Sequence, residues 1–129
     1  MEQYEFLNTY EMTDADTLDL VGQFSVEDWS LRSMIVSEDV IYATKRENGI
    51  GIIDASDPTQ MELITDYHLS GDTKDIQVSG NYAYVSNSPS GLVIIDISDP
   101  ATPDSLGSIE VDGLRIHHFD NTYGYVQND

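Results

Sequence analysis

The chain has 129 residues, a length that suits one domain. It carries 24 Asp plus Glu against 5 Lys plus Arg, a net charge of −19, and no cysteine. Such a surface repels phosphate backbones and anionic lipid heads, which argues against nucleic-acid binding and membrane insertion, and the missing cysteines exclude disulfides and thiolate chemistry. No run is long and apolar enough to cross a membrane as a helix.

The first ten residues, MEQYEFLNTY, lack the basic residues and apolar core of a signal peptide. The chain is therefore expected either to stay inside the cell or to be an excerpt of a longer exported protein. Next comes NTYEMTDADTLDLVGQF (Asn8 to Phe24), a worn copy of GIIDASDPTQMELITDY (Gly51 to Tyr67). RSMIVSE from Arg32 and DVIYAT from Asp39 lead into GIGIIDASDP at 49–58. KDIQVSG from Lys74 and NYAYVS from Asn81 lead, in the same way, into GLVIIDISDP at 91–100. Gly49 and Gly91 stand 42 positions apart, as do Asp57 and Asp99. A last partial copy, RIHHFDN from Arg115 and TYGYVQ from Thr122, follows at a spacing of 41. Repetition at this period marks an array of similar supersecondary units.

Within a unit the pattern is that of strands. GLVIIDIS is a nearly unbroken, β-branched apolar run bounded by Gly and Asp-Pro, which fits a strand covered on both faces. NYAYVSN puts Tyr82 and Tyr84 on one face and Ala83 and Val85 on the other. SDPATPDS, NSPSG and SGDT carry turn chemistry. No stretch shows a helical stripe of useful length, so each unit reads as four short strands, near the length of one propeller blade.

The phrase GLVIIDISDP followed by NYAYVSN-type strands resembles the LVIVD repeat, a bacterial and archaeal repeat that builds β-propellers and is often found in secreted or surface proteins. The match is strongest over 49–100, extends through 101–129, and fades toward residues 1–31. The resemblance implies an all-β fold: a β-propeller fragment or arc of four-stranded antiparallel blades in one repeat domain. Its units are 1–48 (divergent), 49–90 and 91–129, and it forms part of a larger propeller. It also implies strand A at Ile76–Ser79, B at Tyr82–Asn87, C at Leu92–Ser98 and D at Leu106–Val111. On that phasing the chain opens at a strand C and closes at a strand B, giving two whole blades with complementary halves at the ends. Propellers have roughly 4–8 blades, so three units form an open arc with apolar end faces. Leaving those faces in water would forfeit an energy comparable to a domain's whole stability, about 5–15 kcal/mol. Either neighbouring blades of the same protein or a second copy, giving a six-bladed ring of twofold symmetry, is expected to cover them.

Three of the five basic residues, Arg32, Lys74 and Arg115, recur at one repeat position, just before strand A. In related propellers this loop lies on the ligand-binding face, so a partial ring of cations there would attract a carboxylate or other anion. The architectural alternative pairs each with a nearby acid, Asp72, Asp75 or Asp112. Trp29, the lone tryptophan, is unrepeated and reads either as a contact residue or as a plug in the divergent first unit. Asp54, Asp57, Asp96 and Asp99 invite a calcium reading, yet DASDP and DISDP lack the Asp-x-Asp-x-Asp-Gly ligand loop, and Asp side chains accept backbone N–H bonds in turns. No cofactor or metal is expected. His117 and His118 are adjacent on a strand and point to opposite faces, and the alignment sets His117 where the other units have Met34 and Ile76, in a blade core. Tyr42, Tyr84 and Tyr125 recur as a stripe suited to packing between blades.

No catalytic motif stands out. The chain therefore reads as a non-enzymatic binding or scaffold module, extracellular or at the cell surface, for a protein or a small anionic ligand. The contrasting readings are a fragment of a propeller hydrolase or lyase with its catalytic residues in blades absent here, and a purely structural spacer. The charge itself makes a prediction: raising salt from about 10 mM to about 150 mM shortens the screening length from about 30 Å to about 8 Å, so the thermal unfolding midpoint rises with added NaCl.

Overall fold

The computed structural model describes residues 5–26, 29–47 and 49–128. They form twelve strands: β1 (Phe6–Asp14), β2 (Thr17–Ser25), β3 (Leu31–Ser37), β4 (Val40–Lys45), β5 (Gly49–Asp54), β6 (Glu62–Tyr67), β7 (Asp72–Ser79), β8 (Tyr82–Ser88), β9 (Gly91–Asp96), β10 (Asp104–Ile109), β11 (Arg115–Phe119) and β12 (Gly124–Gln127). β3-β4-β5-β6 and β7-β8-β9-β10 are two whole antiparallel sheets. β1-β2 and β11-β12 are two-stranded. The hairpin β1-β2 thus occupies the C and D places of a blade, and β11-β12 the A and B places.

The repeated phrase forms the strands that are buried from both sides, completely at the isoleucines of β5 and in β9 everywhere but half-buried Ile94 and the closing Asp96. Ile50 and Ile52 of β5 pack with Ile76, Val85 and Ile95 of the following sheet. Ile53, on the opposite face, packs with Leu7, Val26 and Met61 beside the first hairpin. In β9, Ile95 looks back to the preceding sheet while Leu92 packs with Leu114 and Ile116 ahead of it. This sandwiching is the physical reason for an apolar run without alternation. The glycine that opens each phrase has a reason of its own. Gly49 and Gly91 adopt φ of +94° and +89°, and a Cβ on either would collide with the carbonyl oxygen of Tyr67 or Ile109 on the neighbouring outer strand.

Strand ends differ from the expected spans where side chains intervene. β9 stops at Asp96 rather than Ser98, because Asp96 Oδ1 accepts the Ser98 N–H at 2.9 Å and turns the chain. β7 begins at Asp72 rather than Ile76, since Asp72 and Thr73 still pair with Ser88 and Asn87 beyond an irregularity. A second correction concerns His117. Expected in a blade core, it is exposed, and its Nε2 lies 3.1 Å from Gln127 Oε1. A register shift between Ile116 and His118 turns His117 out and gives its place to buried Ile116.

Trp29 explains how the first whole sheet tolerates its divergence. It lies over Gly51, where the second sheet has Val93, and Gly71 stands where Trp29 does one unit earlier. The ring fills the volume of the missing side chain, packs near Phe24 at 6.1 Å and receives the Lys45 ammonium 5.3 Å from its centroid. Lys45 is buried and pairs with Asp66. Two departures from the repeat therefore compensate each other. Gly51→Val alone is expected to destabilise the fold by about 1–3 kcal/mol through overpacking. In a double-mutant cycle Gly51→Val combined with Trp29→Gly should lose less than the sum of the single losses, measured by urea unfolding.

Candidate anion site at the inner strands

The innermost strands β3 and β7 each carry one extra residue against their neighbour. Leu31 and Met34 pair with Lys45 and Ala43, so Arg32 and Ser33 oppose Thr44 alone. Thr73 and Ile76 pair with Asn87 and Val85, so Lys74 and Asp75 oppose Ser86. A bulge of this kind leaves ladder groups unpaired and re-aims a side chain. Buried hydroxyls satisfy the bulge from the adjacent strand. Thr44 Oγ1 accepts the Ser33 N–H at 2.9 Å and lies 3.0 Å from the Lys74 carbonyl oxygen of the next sheet. Ser86 Oγ accepts the Asp75 N–H at 2.9 Å. Sequence reading did not single out Thr44 and Ser86, although they sit at one repeat position between the tyrosine stripe and the glycine phrase.

The result is convergence. Arg32, Lys74 and Arg115, carried by three successive units, line one cavity of about 380 Å³ together with Asp75, Gly113 and Leu114. That size falls in the range of small-ligand clefts, roughly 300–1,000 Å³. Arg32 Nη1 lies 3.7 Å from Asp72 Oδ2, longer than the roughly 2.7–2.9 Å of a tight charge-assisted bond, and both side chains are about one-third exposed. Among the described residues Lys74 and Arg115 have no ion-pair partner. Asp75, the acid in the cavity wall, is engaged elsewhere: its Oδ2 accepts the Ile116 N–H at 3.3 Å. Trp29 is not part of this lining; its surroundings are Gly51, Phe24 and Lys45.

The aspartates of the repeated phrase behave as turn acceptors. Asp54 Oδ1 takes the Ser56 N–H at 2.9 Å, Asp57 Oδ1 takes the Thr59 hydroxyl at 2.6 Å and its N–H at 3.0 Å, and Asp99 Oδ1 takes the Ala101 N–H at 3.0 Å. Backbone donors hold the Asp54 and Asp96 carboxyls below the usual range, and the Thr59 hydroxyl and N–H do so for Asp57. Among the described residues, no three His, Asp or Glu side chains converge as a metal-ligand set. Tyr42 is buried, and burial followed by the Glu38 charge pushes its phenol up. Tyr84 stacks on Phe119 of the next unit, centroids 4.1 Å apart and planes 7° from parallel, whereas Tyr125 is exposed.

Two four-stranded antiparallel sheets packed face to face in series, flanked by two half-sheets, define an open arc of β-propeller blades. The LVIVD repeat is matched at residues 30–68 and 70–111, which coincide with the two whole blades, and the chain belongs to the LVIVD repeat family. No curated protein matches the chain, and no solved structure does.

The depressed aspartates give a pH prediction. A carboxyl whose folded pKa lies below its unfolded value, about 3.9, adds stability above that value and loses it as pH falls through the folded pKa. Asp54→Asn with Asp96→Asn keeps an acceptor oxygen but removes the titration. Between pH 5 and pH 3 the unaltered protein should therefore lose more of its urea-unfolding stability than the variant does.

Proposed function

We propose that this chain is a non-enzymatic binding or scaffold module, acting at or outside the cell surface, whose contact face is the channel mouth at Arg32, Lys74 and Arg115. The ligand class is a carboxylate-bearing small molecule or protein segment. The observation that carries this reading is the shared cavity: three of the five basic residues of a strongly acidic chain come from three separate units and line one cleft. Two of these cations have no acid partner among the described residues, so a ligand carboxylate does not have to displace one. The bulges of β3 and β7, tied between blades by the Thr44 hydroxyl to the Lys74 carbonyl, fix where Arg32 and Lys74 leave the ladder, which reduces the ordering lost on binding. The surrounding negative surface disfavours polyanions such as nucleic acid and selects for a small, locally charged group. Scarce Lys and abundant Asp and Glu also suit a solvent-exposed, exported protein.

The test uses citrate as the probe, titrated at about 0.15 M salt to screen the overall charge. Arg32→Gln, Lys74→Gln and Arg115→Gln together should weaken citrate binding at least about tenfold, since hydrogen bonds to charged groups contribute roughly 1.5–3 kcal/mol each and about 1.4 kcal/mol is a factor of ten. The thermal midpoint should stay near that of the unaltered chain. Unchanged citrate affinity in the triple variant would remove the site.

A further inference from the structure

Equivalent residues along the arc differ in one respect, which is whether a neighbour follows. Tyr42 is 3% exposed beneath β7, Tyr84 stacks on Phe119 of β11, and Tyr125 on β12 is 56% exposed. On the inner strands, Ile76 and Ile116 are buried against the preceding blade, while Met34, at the same place in β3, is 48% exposed. The outer strands repeat the pattern. Ile64 and Tyr67 of β6 are packed by the second blade, whereas Leu106 and Ile109, one unit later on β10, are both 55% exposed. On the opposite side, Ile95 is buried against the first blade, but its counterpart on β1, Tyr10, is 51% exposed.

The uncovered surfaces are two complementary halves of one blade and the faces beside them. Strand β1 lacks a strand B partner, and β12 lacks a strand C partner, among the described residues. Beside β1 runs a groove of about 550 Å³ whose walls include Leu7, Thr9, Met34 and Val36. In the whole blades strand B lies in that place; its repeated tyrosine stacks on the residue equivalent to Val36 in the case of Tyr84 and Phe119, and Val78, the other equivalent, packs against the cluster that contains Tyr42.

We infer that a second copy of this chain fills the groove with its β11-β12 hairpin, while its own groove receives the first copy's hairpin, closing a six-bladed ring of twofold symmetry. Complementarity selects the occupant: the place beside β1 calls for a strand B, and β12 is a strand B of the same repeat with its strand C side unpaired among the described residues; two such arcs make six blades, within the roughly 4–8 of closed propellers. The register follows from the whole blades, where Ala43 pairs with Gly51, Tyr84 with Ile94 and Val85 with Val93. Carried through the repeat, Val126 of one copy faces Asn8 of the other, and Tyr125 faces Thr9. Met34 and Val36 then receive Tyr125, and the second copy's Tyr10 covers Leu106 and Ile109. This assembly does not rest on the anion reading; where both hold, six cations surround one channel.

Association between chains of net charge −19 is opposed by repulsion, so the experiment is run at about 0.15 M salt and above. Light scattering on the eluting full chain is expected to give twice its 14.4 kDa mass. Because the chain has no cysteine, Asn8→Cys with Val126→Cys introduces the only thiols. Mild oxidation should yield a covalent dimer from this pair, and little from Asn8→Cys with Tyr123→Cys, which is three residues out of register. Tyr125→Asp, at a position already exposed in the single chain, should dissociate the dimer without loss of strand content by circular dichroism. A compact folded monomer at micromolar concentration, or crosslinking of both cysteine pairs alike, would overturn the inference.

Discussion

Burial on both faces of β5, and of β9 except at half-buried Ile94, is the condition around which every other feature of the arc is arranged. A strand with Ile52 and Ile53 both fully buried cannot end a structure; it needs a layer on each side. The blades supply those layers for one another in series. The glycine before each of these strands lets the neighbouring outer strand approach closely, and the aspartates after it collect backbone donors where the chain leaves the buried layer. Repetition here records a packing requirement. A single unit has no way to meet it alone, because the second face of each buried strand is always another unit's problem.

The same series explains how a cleft of positive charge arises in an acidic chain. One extra residue in each of β3 and β7 interrupts the ladder, and Thr44 and Ser86 satisfy the interrupted groups from inside. Arg32 and Lys74 are carried at those interruptions, and stacking the blades brings them beside Arg115. Of the carboxylates beside the cleft, Asp75 accepts the Ile116 N–H of the next blade and Asp72 lies 3.7 Å from Arg32. Among the described residues Lys74 and Arg115 are thus left without an ion-pair partner in a chain of strongly acidic composition.

Departures from the repeat are informative because they come in pairs. Trp29 over Gly51 restores a volume that Val93 supplies one blade later. His117 turned outward, with Ile116 turned in, restores the apolar contact that Ile76 makes. In both cases the position that matters is a volume in the interface, and the chain fills it from whichever residue the backbone can bring there.

The class of fold, the phasing of the blades and the half-blades at the two ends, strands C–D in front and A–B behind, were legible in the residues alone. Those features follow from a period near 42 residues, strand-length apolar runs and turn residues at constant offsets, all of which are local. The sequence also placed Arg32, Lys74 and Arg115 at one repeat position. That these three line a common cleft, that Trp29 belongs to the packing of Gly51, and that Ile116 rather than His117 enters the core became visible once the blades were packed. The physical reason is that a bulge moves a side chain by one place without leaving a pattern in the residues around it, and that contact between blades depends on which volumes remain unfilled once neighbouring layers have come together.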